Sequence, residues 1–354
     1  MQHVSAPAGL GPSAQDRAVK RERVLRLLEK RGIESVLLTS APAINWYLDG
    51  ARTHVSIAAP PILGVEVAVA GDRIHVTSNE VARVVDEELP HGESLYVRDW
   101  WCPLESGAVA EADLSVELRA VRSNLLPTER RRFAVLGSEA ARAVTDAVAG
   151  AVPSLSEREL AARVHAEVVR RGAEPLVVLV GGASRSQYRH PLPTDAPIGR
   201  RAMVVVCARR WGLIANLTRW VCFGPAGSRE SDAEARIFEV EAEAFSATVA
   251  GARLDSVLDR IARAYERHGF GAHEWKRHHQ GGLVGYDGRD PRATPGVPDV
   301  IPADAHVGWN PSAAGAKVED TVVVGGGTVL PLTVDPRWPV TDVNGVLRPL
   351  TLEL

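Results

Sequence analysis

The chain has 354 residues, of which 45% are hydrophobic and 24% are charged, a composition typical of a soluble globular protein with two domains. The net charge of -3 and the scattered basic residues argue against a nucleic-acid-binding surface, so we expect a small-molecule partner. Three cysteines without CxxC spacing exclude a disulfide framework and a cysteine zinc site, and the absence of a signal peptide or a long apolar run predicts a cytoplasmic protein without membrane contact.

The first half of the chain predicts a small mixed α/β domain over residues 17–125, preceded by a flexible tail over residues 1–16. An amphipathic helix is followed by Gly32, its predicted stop, and by a strand at Ser35–Leu38. Two further strands flank the turn at Gly71, and "NEVARVVDEEL" predicts another helix. The proline-containing "SNLLPTERRR" then marks the predicted domain boundary.

The second half, residues 126–354, predicts an α+β domain. Ser156 and Glu159 form the capping box of one helix, and two more amphipathic helices follow at "SDAEARIFEVEAEAFSATVAG" and "RLDSVLDRIARAYERHGFG". Apolar runs such as "AMVVVCA" and "VEDTVVVGGGTVLPLT" predict strands between and after these helices. Their order favours antiparallel strands rather than a doubly wound parallel sheet.

Four polar segments of the second half carry a family resemblance: "SRSQYRHPLPTD", "GLIANLTRW", "HHQGGLVGYDGRD" and "VGWNPSAAGAKVEDTVVV". Their order and spacing resemble the creatinase/prolidase/methionine aminopeptidase family over residues 17–354. This resemblance implies a "pita-bread" catalytic domain after a small α/β domain of the creatinase type.

The resemblance also implies a test for metal ions. In the peptidases of the family, two aspartates, a histidine and two glutamates hold a pair of metal ions. Val205, Asn216 and Asn310 stand at three of these positions here, so only a histidine and Glu319 remain. Because this set offers too little anionic oxygen for two hard divalent ions, we expect neither a dinuclear metal centre nor another cofactor.

The segment "HHQGGLVGYDGRD" is similar to a motif of the metal-free creatinases. The resemblance places His278 and Tyr286 in the pocket and implies that Arg289 holds the carboxylate of a substrate. It implies that His190, in "YRHPLPTD", is the general acid/base. From the residues alone, Arg289 could instead pair with a neighbouring aspartate, and adjacent histidines on a strand would face opposite sides, leaving His279 structural.

The resemblance extends to the N-terminal domain, where "INWYLDGARTHVSI" is similar to a segment that precedes a loop crossing between creatinase subunits. It implies a homodimer in which Arg52 and His54 help to bind the substrate of the partner subunit. An ordinary solvent-exposed loop is the alternative.

These observations lead to one prediction and its alternatives. We predict a metal-independent hydrolase that cleaves a C–N bond of a small carboxylate-bearing amide, amidine or lactam, with His190, His278 and Glu319 as catalytic residues. Arg289, Asn310, Asn216 and Tyr286 would bind the substrate. The alternatives are a lyase using the same histidine, an inactive relative that only binds a ligand or protein, and a metallopeptidase with one ion on His278 and Glu319.

Overall fold

The computed structural model describes residues 9–89 and 93–354, whose contacts form two compact units. The first unit extends to Arg132 and includes Trp211–Leu213, and the second comprises Phe133–Arg210 and Ile214–Leu354. The predicted division between residues 125 and 126 lies close to the start of the helix that runs from one unit into the other.

The first unit is a five-stranded sheet with short helices. Its helices are α1 (Ala14–Arg31), α2 (Ala41–Tyr47), α3 (Val81–Arg83) and α4 (Ser115–Ser123), and its strands are β1 (Ser35–Leu38), β2 (Leu63–Ala68), β3 (Arg73–Thr77), β4 (Leu95–Arg98) and β5 (Val109–Ala110). The strand order is β4-β3-β2-β1-β5, with β1, β2 and β3 antiparallel and both outer strands parallel to their neighbours.

Local sequence determines where α1 begins and ends. Ser13 caps the helix by accepting a hydrogen bond from the backbone N–H of Asp16, and Gly32 ends it in a left-handed conformation. The last residues of the predicted flexible tail, residues 1–16, therefore belong to this helix. Leu10, which precedes the helix, is buried. Residues 1–8 of the predicted tail lie outside the described residues.

The second unit contains the larger sheet. Its helices are α5 (Pro127–Val148, shared with the first unit), α6 (Glu157–Arg170), α7 (Ser228–Ala247) and α8 (Leu254–Arg267), and its strands are β6 (Glu174–Gly182), β7 (Arg201–Arg210), β8 (Leu213–Cys222), β9 (Gly281–Leu283), β10 (His306–Trp309), β11 (Ser312–Ala313), β12 (Ala316–Lys317), β13 (Glu319–Gly325), β14 (Thr328–Pro331), β15 (Val340–Val343), β16 (Val346–Pro349) and β17 (Leu352–Glu353). Six strands follow the order β6-β7-β8-β13-β10-β9, with β14 paired to β13 and β17 paired to β8. The predicted α+β class is confirmed.

Helices α7 and α8 pack on this sheet through an apolar core. Ile237 of α7 and Ile261 of α8 belong to one buried cluster with Val307 and Trp309 of β10. The capping box that the sequence predicted at α6 is also present, with Ser156 and Glu159 hydrogen bonded to each other's backbone. No helix in the described part of the chain is both long enough and apolar enough to cross a bilayer.

The register of β8 and β13 separates polar side chains onto two faces of the sheet. Glu319 is paired with Thr218 across these strands, and the Thr218 hydroxyl donates to the Glu319 carboxylate. Because side chains alternate along a strand, Arg219 and Asp320 point to the other face, where they bond each other at 2.8 Å. Arg348 also binds Asp320 there, at 2.9 Å.

Candidate active site

A cavity of about 340 Å³ opens in the second unit, on the face of the sheet that carries Glu319. Its wall is built from strands β6, β7, β8, β12 and β13 and from the loops between β6 and β7, before β9, after β9 and after β10. The lining residues are Val177, Leu179, His190, Val205, Cys207, Asn216, His279, Asp287, Gly288, Arg289, Arg292, Asn310, Lys317 and Glu319. The structure thus brings most of the predicted catalytic-domain site residues into one place.

Glu319 is the buried carboxylate of this cavity; one cation binds it directly and a second lies close to it. Arg289 donates through Nη2 to Oε1 at 2.5 Å, while Nζ of Lys317 lies 3.7 Å from Oε2. Burial alone would raise the pKa of Glu319, but Lys317 and Arg289 hold this pKa below its ordinary value. The carboxylate is therefore ionised and its charge is already compensated.

Arg289 has a partner that is distant in sequence. Its guanidinium binds Glu319 and donates a second hydrogen bond to the carbonyl of Gly288. Its Nε finds no acceptor among the residues that the structure describes. Glu319 is thus a partner of Arg289 in addition to the aspartates that the sequence left open as an alternative, because the fold brings β13 against the loop that carries Arg289.

Three histidines meet at one side of the cavity. The Nε2 atoms of His190 and His278 lie 3.0 Å apart, and the ring centroids of His278 and His279 lie 4.4 Å apart. The expectation that the adjacent histidines face opposite sides is wrong. They lie between a 3₁₀ helix, Glu274–Arg277, and strand β9, where regular strand alternation does not apply.

All three imidazoles are neutral at neutral pH. Burial lowers the pKa of His190 and, much further, that of His278, and the positive charge of Lys317 adds to both effects. Burial, with Arg289 and Arg292, lowers the pKa of His279 to about 3. Neutral imidazoles can accept protons or coordinate metal ions, so the cluster could act as a general base or as a metal site.

Asn216 and Asn310 present unpaired amide atoms inside the cavity wall. Both residues are at most 2% exposed. Within the described part of the chain, no hydrogen-bond partner is found for Nδ2 and Oδ1 of Asn216 or for Oδ1 of Asn310. Because buried polar atoms are rarely left unpaired, these amides need hydrogen-bond partners from the cavity, which water or a polar ligand can supply.

The remaining predicted residues lie elsewhere. Tyr286 is buried but does not line the cavity. Arg52 and His54 belong to the first unit, where Arg52 binds the carboxylates of Glu87 and Glu88. The substrate-binding role of Tyr286 stays a prediction.

Sequence reasoning missed Lys317, Cys207 and Arg292 as lining residues. Lys317 stands two positions before Glu319, a spacing that places both side chains on one face if the strand is nearly continuous. That spacing was a usable signal. Cys207 follows Val205 by the same spacing on β7, and burial raises the pKa of its thiol to about 12, so it is not a nucleophile at neutral pH.

The dinuclear metal set of the family does not fit these residues. Val205 offers no ligand atom, Asn216 and Asn310 offer neutral amides, and the oxygens of Glu319 already face two cationic side chains. The groups that could hold one ion instead are His190, His278 and His279, whose candidate ligand atoms lie within 4.8 Å of one another.

Comparison with known proteins identifies the family. The pattern of metallopeptidase family M24 matches residues 131–325, more than half of the chain, and the chain belongs to this family of hydrolases. The predicted pita-bread creatinase/aminopeptidase family is thereby confirmed, as is the prediction of a hydrolase. Among curated proteins, none matches the chain.

Solved structures share the fold over almost the whole chain. The prolidase from Pyrococcus horikoshii OT3 superposes with a TM-score of 0.73 at 18% identity, covering 90% of this chain and 99% of its own. Dipeptidase PepE from Mycobacterium ulcerans gives 0.72 at 17% identity, covering 92% and 98%. An X-Pro aminopeptidase from Thermotoga maritima MSB8 gives 0.71 at 16% identity, covering 90% and 98%. At these identities the likeness establishes the architecture, including an N-terminal domain.

Proposed function

We propose that the chain is a metal-independent hydrolase of family M24 that cleaves a C–N bond of a small carboxylate-bearing amide, amidine or lactam. The observation that carries this proposal is the environment of Glu319. Its carboxylate faces Arg289 and Lys317, and the neutral amides of Asn216 and Asn310 line the same cavity. A pair of divalent ions lacks anionic ligands there, whereas a polar organic ligand finds hydrogen-bonding groups.

His190 supplies the base in this proposal. If its Nε2–H donates to Nε2 of His278, the lone pair of its Nδ1 is free to take a proton from water. The pKa of His278 is lowered further than that of His190, so the proton stays on His190. His278 is thus a positioning residue that orients the base.

The reaction is then balanced without further reagents. Water loses a proton to His190 as its oxygen bonds to the carbon of the scissile group. The C–N bond breaks, and the imidazolium of His190 returns the proton to the leaving nitrogen. Asn216 and Asn310 orient the scissile group through their unpaired amide atoms.

The test is turnover by wild type and by His190→Gln on a panel of such compounds, assayed with a chelator present. The panel includes Xaa-Pro dipeptides, because solved relatives are named Xaa-Pro dipeptidase and X-Pro aminopeptidase. Loss of the base should lower kcat by ~10²–10⁴-fold with little change in KM.

The matched control is His165→Gln on helix α6, where the imidazole contacts the carbonyl of Ala161 and lies outside the cavity lining. It should retain wild-type turnover. Equal turnover by His190→Gln and wild type would show that another group is the base. Ligand binding without turnover across the panel would favour a binding protein.

A second candidate function is hydrolysis with a single metal ion. The clustering of His190, His278 and His279 favours it, because three imidazoles are a known zinc donor set. Lys317 and the arginines nearby oppose it, since their charges repel a cation. Metal analysis separates the two candidates.

A homodimer remains a further proposal, with Arg52 and His54 as the residues predicted to act across subunits. Arg52 already binds Glu87 and Glu88, so such a role requires it to share or exchange these partners. Light scattering at micromolar concentration tests the dimer, and a monomer would rule out a shared site.

A further inference from the structure

Lys317 is a buried ammonium group that only loosely contacts its nearest carboxylate. Its side chain is 3% exposed and lines the cavity. The nearest carboxylate oxygen among the described residues, Oε2 of Glu319, lies 3.7 Å from Nζ, beyond ordinary hydrogen-bond distance. Because an ammonium group carries three donors and is costly to bury unpaired, the cavity requires an acceptor at this point.

The charges around Lys317 indicate the sign of that acceptor. Arg289 and Lys317 are two buried cations, and Glu319 is the buried carboxylate that they share. The exposed residues Arg292 and Asp287 also line the cavity and carry opposite charges. One positive charge is therefore uncompensated, and an anion with one charge would neutralise it.

Arg289 is less available than Lys317 for this anion. Its Nη2 donates to Glu319 at 2.5 Å and its Nη1 donates to the carbonyl of Gly288, so one of its nitrogens, Nε, is left without an acceptor. A bidentate grip on an external carboxylate requires two free donors on one edge of the guanidinium. Arg289 keeps further N–H donors, but Glu319 already neutralises its charge by direct contact, whereas Lys317 makes no hydrogen bond of ordinary length to that carboxylate.

We infer that Lys317 binds the carboxylate of the ligand, and that Arg289 instead holds Glu319 in place. The unpaired amide atoms of Asn216 and Asn310 then face the polar body of the same ligand. This inference deepens the proposed function and rests on it for the identity of the ligand as substrate. The cavity selects compounds with a single carboxylate and disfavours compounds with a free ammonium group.

The experiment measures binding alone, with a matched pair of probes that differ in charge. N-acetylglycine carries a carboxylate, and N-acetylglycinamide replaces it by a neutral amide. Wild type should bind the acid about 10- to 100-fold more tightly than the amide, the range expected for a charge-assisted contact. Lys317→Met should bring this ratio close to one while leaving affinity for the amide unchanged.

Arg292→Met is the matched control, because it removes a positive charge that lines the same cavity but is exposed. Exposed charges contribute little, so the acid-to-amide ratio should stay near that of wild type. An unchanged ratio in Lys317→Met would assign the anion to Arg289 and overturn the inference. An equal fall in both variants, or no acid preference in wild type, would also overturn it.

A second variant covers the case in which Lys317→Met does not fold. Lys317→Gln keeps a polar but neutral side chain at the same buried position in the cavity lining. Its acid-to-amide ratio should also fall close to one, because the charge that we assign to the anion is removed. A ratio in Lys317→Gln equal to that of wild type would overturn the inference. An acid preference without turnover would contradict only the proposed function.

Discussion

Glu319 shows how one carboxylate determines the chemistry of a cavity. In a two-metal hydrolase such a group serves as an anionic ligand to the ions. Here Arg289 and Lys317 take that place, and the interactions compensate the cost of burying the carboxylate. Two fixed cations and neutral amides favour the anionic organic ligand that we propose for this site.

The pH profile of the reaction provides a test at the scale of the residue. His190 acts as a base only when neutral, so kcat/KM should rise with pH through its pKa and become constant above it. Burial and Lys317 lower that pKa below 6.5, Arg292 acts in the same direction, and Glu319 opposes them. The rise should therefore be complete by neutral pH in an assay of kcat/KM against pH.

The result that would contradict this account is a rise centred at or above pH 6.5, the ordinary value for histidine. It would mean that water or an anion stabilises the imidazolium of His190 more than burial, Lys317 and Arg292 destabilise it.

Sequence alone predicted His190, Asn216, Asn310 and Glu319 as site residues, and the structure places all four in one cavity lining. It did not predict the partner of Arg289. That partner, Glu319, is 30 positions away, and only the tertiary fold brings it into contact. Neighbouring aspartates were the alternative partners that the sequence left open, because spacing along the chain reveals only local pairs.

At the scale of the element, the pairing of strands β8 and β13 places the adjacent carboxylates of Glu319 and Asp320 on opposite faces of the sheet. Glu319 faces the cavity, while Asp320, the next residue, binds Arg219 and Arg348 on the other side of the sheet. Arg348 also binds Glu241 there at 2.5 Å. The alternation of a regular strand is what allows one structural and one functional network to occupy adjacent residues.

Strand β9 pairs with β10 only because a glycine stands at the point of closest approach. Gly281 has φ +116, and a Cβ there would lie 2.1 Å from the carbonyl oxygen of Gly308 on β10. Gly281→Ala should therefore separate these strands and destabilise the protein by more than ~2 kcal/mol, as backbone strain and a steric clash combine. Thermal or urea unfolding would measure this.

Gly285→Ala is the control for this prediction, because a Cβ at Gly285 meets nothing within 4 Å. It should leave the free energy of unfolding nearly unchanged. A stable Gly281→Ala variant would show that β9 is less tightly paired than the structure indicates.

Elements with a regular, local sequence pattern were predicted correctly, and an irregular one was not. The capping box of α6 and the glycine that ends α1 were readable because caps are local. The short segment around His278 and His279 was misread as regular strand, since a turn of 3₁₀ helix before a three-residue strand leaves no periodic pattern. This wrong prediction concerns the segment that carries two of the three clustered histidines.

At the scale of the whole molecule, the chain combines a family fold with a changed site. Membership of family M24 and the likeness to prolidases show that the architecture is retained. At the positions that the family resemblance assigns to metal ligands, Val205, Asn216 and Asn310 are neutral here, and Lys317 and Arg289 line the same cavity. A fold can keep its form while its site changes function, so the site and not the fold carries our proposal.

The metal content of the active protein tests this account most directly. We predict that protein dialysed against a chelator contains well below one Mn, Co, Zn or Fe ion per chain and retains full turnover of its substrate. The physical reason is that Arg289 and Lys317 already compensate Glu319. One or more bound ions per chain, with turnover lost on their removal and restored on their return, would contradict the account.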